Sequence, residues 1–430
     1  MSSVTEDSPS IYAELLPNIR QVSIAVSLPS PADPATTVAE VSSDGSRIQV
    51  RHGSSLKEVL LPGPVSAPSV LPVPNGRQPG ATSLAWRLPL SASAPSSSVR
   101  DELLPAVPWS ARDLVPQSAV SCRTCHRALV PPGRLQVWKD LPSENWAEMM
   151  DFWHCHKPHD HSHGHAQIAG RNQDDDHLTK RGYGANSSIA AQLGVGFVDL
   201  TSLLLAEEDC TGLDVSIYPS PSGHFKSQAL KSVQNGTSLP RLLHVCCSNC
   251  NSHLGFFNVS IASVALFKWK VDCRTSSPCP PPTSSDCLAA ALLATLSRSG
   301  SSKSVIIPTI ASLQHVATNS SASAANGANG TGPSIPLALN IWILNGNIVY
   351  SSTKREGRPR SALKLFYRRI PQEEADKLLD SFTSGVQEVN LPVEAIKMAA
   401  DALEQTSLFL PPSERAFKDW QVGLLEKWTG

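Results

Sequence analysis

Two cysteine pairs with one shared pattern constrain this chain more than any other feature: CRTCHRAL at residues 122–129 and CSNCNSHL at 247–254. Each reads C-x-x-C-x-x-x-L. Two thiolates at this spacing sit on one tight turn and can aim at one ion, and two such turns supply the tetrahedral set of four that zinc prefers. Between Cys125 and Cys247 lie 121 residues, too many for an isolated small finger. The spacing predicts a clamp that joins two hairpin ends of one larger domain. In it, Cys122, Cys125, Cys247 and Cys250 hold one structural zinc ion. A closed set of four leaves no position for a reactive water, so such an ion stabilises the fold. Two other readings stay open, buried free thiols and a redox pair; neither pair sits in the strand-to-helix context that redox motifs use. Cys246 is an ambiguity, because with Cys250 it would form a C-x-x-x-C pair; the likeness to the first motif favours Cys247.

Composition agrees with a metal reading of the thiols. Lys plus Arg number 36 and Asp plus Glu 37, so no global field attracts nucleic acid or an anionic membrane. No run of 18 apolar residues exists, and no membrane contact is expected. Residues 1–10 are polar and acidic, without the basic and apolar parts of a signal peptide. The expected location is therefore cytoplasm and nucleus, where ten cysteines are better read as ligands or reactive thiols than as disulfides. There is no phosphate-cradling glycine motif. TKREGRPR at 353–360 reads as a solvated hairpin end rather than a nucleic-acid site.

The periodicities predict an α+β chain. A mainly β, zinc-clamped N-terminal and central region, sandwich-like or β-tent-like, precedes a smaller α+β C-terminal domain. RQVSIAVSL (20–28), SRIQVRH (46–52), LKEVLLP (56–62) and SLAWRLPL (83–90) are short alternating or β-branched runs, read as strands. The expected divisions are a β-rich region over 1–115, a zinc-clamped β region over 116–275 with an exposed insertion at 157–186, a connector over 276–335 and the C-terminal domain over 336–430. Within the connector, CLAAALLATL (287–296) predicts a short helix, and the low-complexity run 317–334 is expected to be disordered. Further on, ALNIWILNGNIVYSS (338–352) predicts a hairpin turning at Asn345-Gly346, and 362–370 a strand. Val393, Ile396, Ala400 and Leu403 recur at helical spacing. So do Phe417, Trp420, Leu424 and Trp428, with Ser413 as a possible N-cap; their stripe reads as a core-facing or docking face.

FWHCHKPHDHSHGH (152–165) holds six histidines and one cysteine between His154 and His165. Its second half reads as a solvated His-rich loop. In the first half, Trp146, Met149, Met150 and Trp153 fall at helical spacing and would present Cys155 and His156 just before Pro158 stops the helix. Cys155 is a candidate nucleophile, with His156 lowering its pKa or taking its proton. Alternatively both ligate a metal, in this chain or a partner's site, or Cys155 and Trp153 merely pack.

CRTCHRAL, LPSENWAEMMDFWHCHKP (141–158) and CCSNCNSHLGF (246–256), in that order, together with ALKLFYRRI (362–370), resemble the HECT-like ubiquitin-conjugating-enzyme-binding family. The resemblance implies binding to a ubiquitin-conjugating enzyme, a ubiquitin-protein ligase activity, and nuclear and cytosolic residence. Some members look linked to the zinc-dependent endonuclease of messenger-RNA 3′-end processing. An alternative role is therefore a non-enzymatic partner or assembly factor of that endonuclease, docking through Trp153, Cys155, His156 and Pro158. The paired knuckles are also similar to the zinc-clamped β-tent domains of the yippee and cereblon type. The chain departs from true HECT ligases: its last cysteine is Cys287, and the final 143 residues hold none. A thioester on this chain would then use Cys155 or another cysteine outside the clamp.

Overall fold

A computed structural model describes residues 8–73, 82–92, 107–141, 190–216, 242–259, 261–309, 338–381 and 384–430. The protein is mostly β and divides into two compact units.

The first unit comprises Met1–Ala106, Leu339–Arg369 and Lys397–Lys427. One sheet path runs through Ala416–Phe417, Trp420–Glu426, Arg355–Ile370, Ala338–Ser352, Ser10–Leu16, Gln21–Ser27 and Ser83–Pro89. The strand Ser10–Leu16 lies antiparallel between Gln21–Ser27 and Ala338–Ser352, with Tyr12 opposite Ser352 and Leu15 opposite Val349. A second, four-stranded sheet orders Ser55–Leu60, Arg47–His52, Thr37–Val41 and Val70–Leu71. Gln21–Ser27 and Ser83–Pro89 bury every second residue, the pattern of strands with one covered face. Val22, Ile24, Val26, Leu84, Trp86 and Leu88 join Ile48 and Val50 of the four-stranded sheet in one core. A second core, with Tyr12, Ile348, Tyr350, Val422 and Leu424, covers part of the first sheet's other face.

The second unit comprises Val107–Ala338, Ile370–Ile396 and Trp428–Gly430. Its seven-stranded sheet orders Val137–Asp140, Val195–Val198, Ser202–Ala206, Ser263–Phe267, His253–Asn258, Leu242–Cys247 and Leu213–Ser216. The first pair is parallel and the rest antiparallel. A three-stranded sheet of Val271–Cys273, Val120–Cys122 and Ala128–Val130 carries the first cysteine pair. Both sheets feed one core that includes Val120, Leu129, Leu203, Val245, Leu254 and Leu266.

Helix α1, Ser284–Ser299, takes in the predicted 287–296 segment. Thr283 caps it: its hydroxyl accepts from Asp286 N–H at 3.2 Å, and the Asp286 carboxylate accepts from Thr283 N–H at 2.8 Å. Gly300, in the left-handed region at φ 68°, closes it. Helix α2 is Gln372–Asp380 and helix α3 is Val393–Ser407, the latter on the predicted spacing. Strands Lys303–Pro308 and Gln387–Leu391 pair in parallel.

Two expectations are corrected. No hairpin turns at Asn345-Gly346. Neither residue has the positive φ that a type I′ turn needs, and the strand runs unbroken over Ala338–Ser352, turning instead at Thr353 and Lys354. The terminal helix is also absent. Ser413 lies in the short 3-10 turn Pro412–Glu414, and Trp420–Glu426 is a strand paired with Arg355–Ile370, Phe366 opposite Val422. Val422, Gly423, Leu424 and Leu425 are all buried, so neither a twofold nor a helical period is decisive there. Gly423 lies so close to α3 that a Cβ would stand 3.1 Å from the Leu403 carbonyl oxygen. Residues 157–186 and 317–334, and the helix predicted before Pro158, lie outside the described residues.

Candidate metal centre

The two C-x-x-C motifs form a matched pair of turns. In the first, His126 N–H donates to the Cys122 carbonyl at 2.8 Å and Cys122 N–H to the Arg127 carbonyl at 2.9 Å. In the second, Asn251 N–H donates to the Cys247 carbonyl at 2.8 Å and Cys247 N–H to the Ser252 carbonyl at 2.9 Å. His126 and Asn251 both adopt the left-handed region, φ 58° and 57°, which reverses the chain right after the second cysteine. Leu129 and Leu254, the leucines of the shared pattern, are fully buried and pin each turn to the core.

This folding brings Cys122, Cys125, Cys247 and Cys250 together, all four sulfurs within 4.8 Å of one another. Cys122 Sγ stands 3.7 Å from Cys250 Sγ, and Cys125 Sγ 3.6 Å from Cys247 Sγ. A disulfide needs about 2.05 Å, so these are not bonded pairs. A tetrahedron with metal–sulfur bonds of about 2.3 Å sets its sulfurs about 3.8 Å apart, close to what is seen. The four cysteines could therefore hold one metal ion. Cys246 stands outside the group: it is the neighbour of Cys247 on a strand, where successive side chains point to opposite faces. Burial pushes its thiol up to about 11.

Backbone amides serve the sulfurs at equivalent places. Arg127 N–H reaches Cys125, and Ser252 N–H reaches Cys250. The Asn249 side chain, with that amide, lowers the Cys125 thiol to about 6, so this sulfur is ready to bind as thiolate. Burial raises the Cys247 and Cys250 thiols; a cation among the sulfurs would reverse that preference, since ligation requires thiolates. Elsewhere burial pushes Cys210, Cys273 and Cys287 up to about 12, which makes them poor nucleophiles.

The first turn carries a fixture that the motif did not reveal. Arg123 donates to the carbonyls of Pro282, Lys268 and Val271 at 2.9–3.0 Å, pairs with Asp272 at 3.3 Å, and lies over the Trp109 ring. Beside the second turn, His244 and His253 share a hydrogen bond of 3.0 Å among Phe256, Phe267 and Trp269. Gly255 is obligatory there, since a Cβ would collide with the Ala265 carbonyl. Trp153, Cys155, His156 and Pro158 lie outside the described residues, in the stretch between Val137–Asp140 and Val195–Val198.

The class of protein is thus a mostly β chain with a four-cysteine metal-type clamp in its second unit. Comparison with known families identifies it further. A family model described as HECT-like ubiquitin-conjugating enzyme (E2)-binding matches residues 14–422, and the chain belongs to that family. An uncharacterized protein of Schizosaccharomyces pombe is 25% identical over 349 residues, 79% of this chain and 82% of that protein. An uncharacterized protein of Saccharomyces cerevisiae is 35% identical over 80 residues, 17% of this chain and 22% of that protein. No solved structure matches.

Proposed function

We propose that this protein binds ubiquitin-conjugating enzymes and promotes ubiquitin transfer as a ligase or ligase-like adaptor. The observation that carries the reading is the family match, which runs from residue 14 to residue 422. The ion in the clamp is zinc. Four soft thiolates at near-tetrahedral spacing suit it, and a closed set gives it a structural task. Its contribution is to cross-link two sheets whose motifs lie far apart in sequence.

Transfer has two routes. In one, the Cys155 thiolate attacks the thioester carbonyl of ubiquitin on the conjugating enzyme, whose cysteine leaves as thiolate, and His156 takes the Cys155 proton. In the other, the protein holds the charged enzyme beside a substrate lysine and forms no bond itself. Incubating the purified protein with charged conjugating enzymes separates them. A ubiquitin adduct that thiols cleave, and that disappears in Cys155→Ser with zinc content unchanged, establishes the covalent route. Binding without an adduct establishes the adaptor. Absence of binding across a broad enzyme panel would overturn the reading.

A further inference from the structure

Arg123 stands between two cysteines of the clamp and ties together segments far apart in sequence. Its backbone N–H donates to the Lys270 carbonyl at 3.0 Å. Its guanidinium donates to the carbonyls of Lys268, Val271 and Pro282 and pairs with Asp272. Pro282 lies just ahead of Thr283, the cap of helix α1. The same guanidinium lies 5.9 Å from the centre of the Trp109 ring. Lys268, fully buried, reaches onward with its ammonium to the Pro108 carbonyl. Two successive residues, Pro108 and Trp109, are thus held by Lys268 and by the Arg123 that bonds its carbonyl.

Trp109 is held at a cost. It is only 2% exposed and belongs to the core of the second unit. Yet its φ is 54°, in the left-handed region where a bulky side chain is strained. Its buried indole N–H has no hydrogen-bond partner among the described residues, and a buried orphan donor carries the full cost of its lost hydration. Both costs vanish once the residue leaves the core and meets water. Core packing and the cation over the ring oppose that release. The balance therefore depends on Arg123 keeping its place. Cys122 precedes it, and Cys125 follows two residues on. An ion that binds both fixes the turn to the second knuckle and Arg123 with it. Without that tie the turn hangs on a three-residue strand.

We propose that the clamp, Arg123 and Trp109 form a metal-gated latch. An ion among the four sulfurs keeps Arg123 over the ring and Trp109 inside. Loss of the ion frees Arg123 and lets residues 107–110 leave the core, with the sheets of the second unit still folded. The inference rests on the reading of the clamp as a metal site and adds what its occupancy controls. The released segment puts a tryptophan into solvent, so the protein shows different surfaces with and without its metal.

The test is hydrogen exchange of the full-length protein, read by mass spectrometry on its peptides, with metal content recorded in parallel. The Ser110 and Asp113 amides are hydrogen-bonded to each other's residue, so they report on the segment. Removing the metal with a chelator should speed exchange of a peptide spanning 107–115 at least tenfold. Peptides from Ser202–Ala206 and Ser263–Phe267 should stay protected, and returning zinc should restore slow exchange. Arg123→Met should show the same fast exchange with its metal still bound. Should that variant fold poorly, Arg123→Lys, which keeps a cation but not the fork of donors, should show a smaller acceleration. Unchanged exchange of the 107–115 peptide in metal-free protein overturns the latch and leaves the metal site standing. So does a simultaneous loss of protection throughout the second unit, since the release is then only unfolding. Wild-type exchange in the metal-loaded Arg123 variant overturns Arg123 as the link. Purified protein that binds no metal overturns the clamp reading and this inference with it.

Discussion

At the first knuckle, Arg123 reaches three backbone carbonyls and the Asp272 carboxylate. At the same place in the second knuckle stands Ser248, exposed, whose N–H donates to the Gly212 carbonyl at 3.0 Å. The two turns otherwise match bond for bond. Their surroundings explain the difference. Cys247 ends a six-residue strand inside a seven-stranded sheet, whose ladder already fixes it. Cys122 ends a three-residue strand in a three-stranded sheet. A strand so short is weakly registered by its own ladder, and a side chain ties the turn instead. Equal ligand geometry can thus rest on a backbone scaffold at one end and a guanidinium at the other.

The largest perturbation should erase the comparison altogether. Cys122→Ser and Cys247→Ser should each reduce bound metal from one per chain to none and lower the unfolding midpoint by a similar amount. Structural zinc is worth on the order of 10 kcal/mol in small peptide sites. Elemental analysis with thermal melts reads both quantities. A variant that kept full metal occupancy would break the clamp.

Substituting between the cysteines should sharpen the contrast. Arg123→Met should cost about 3 kcal/mol, because charge-assisted bonds to buried carbonyls are lost and their acceptors left unpaired. Ser248→Ala should stay within about 0.5 kcal/mol, as exposed positions do. Urea midpoints of the two variants measure the difference; equal midpoints would show that Arg123 is not the tie described.

The smallest effect concerns acid, and it belongs to the second knuckle's flank. Burial, then the charge of His244 and of Lys270, lowers the His253 imidazole to about 4. Between pH about 4 and the ordinary 6.5 the unfolded chain binds a proton that the folded chain does not. Stability from this group is therefore full above about 6.5 and is lost as pH falls toward 4, by up to about 3 kcal/mol once both states are protonated and by less at mildly acidic pH. His253→Gln should flatten that slope relative to wild type. Acid-driven metal loss affects both proteins alike, so only the difference between their stability–pH curves counts.

What sequence could reveal followed from what each residue faces. Strands 21–27 and 83–89 have one open face, so alternation betrayed them. Strand 420–426 is covered on both faces, and its apolar run fitted a helix equally well until its partner strand was known. The clamp was legible because ligand chemistry fixes both residue type and spacing. Arg123 and Asn249 were not, since any side chain can stand between two cysteines and only the fold decides what it meets. The place of Trp109 was also hidden, because only the fold brings it under Arg123.

The pairing of Ser10–Leu16 with Ala338–Ser352 has a consequence in time. The ribosome makes the first strand early and its neighbour 321 residues later. At about 5–20 residues per second, one edge of the N-terminal strands waits roughly 16–64 s for its partner. During that interval Tyr12, later stacked on Tyr350, and the open backbone beside it are available to chaperones or to a neighbouring nascent chain. The sheet is therefore completed only after that interval, and a chain that stops before Ala338 lacks the strand that would close it.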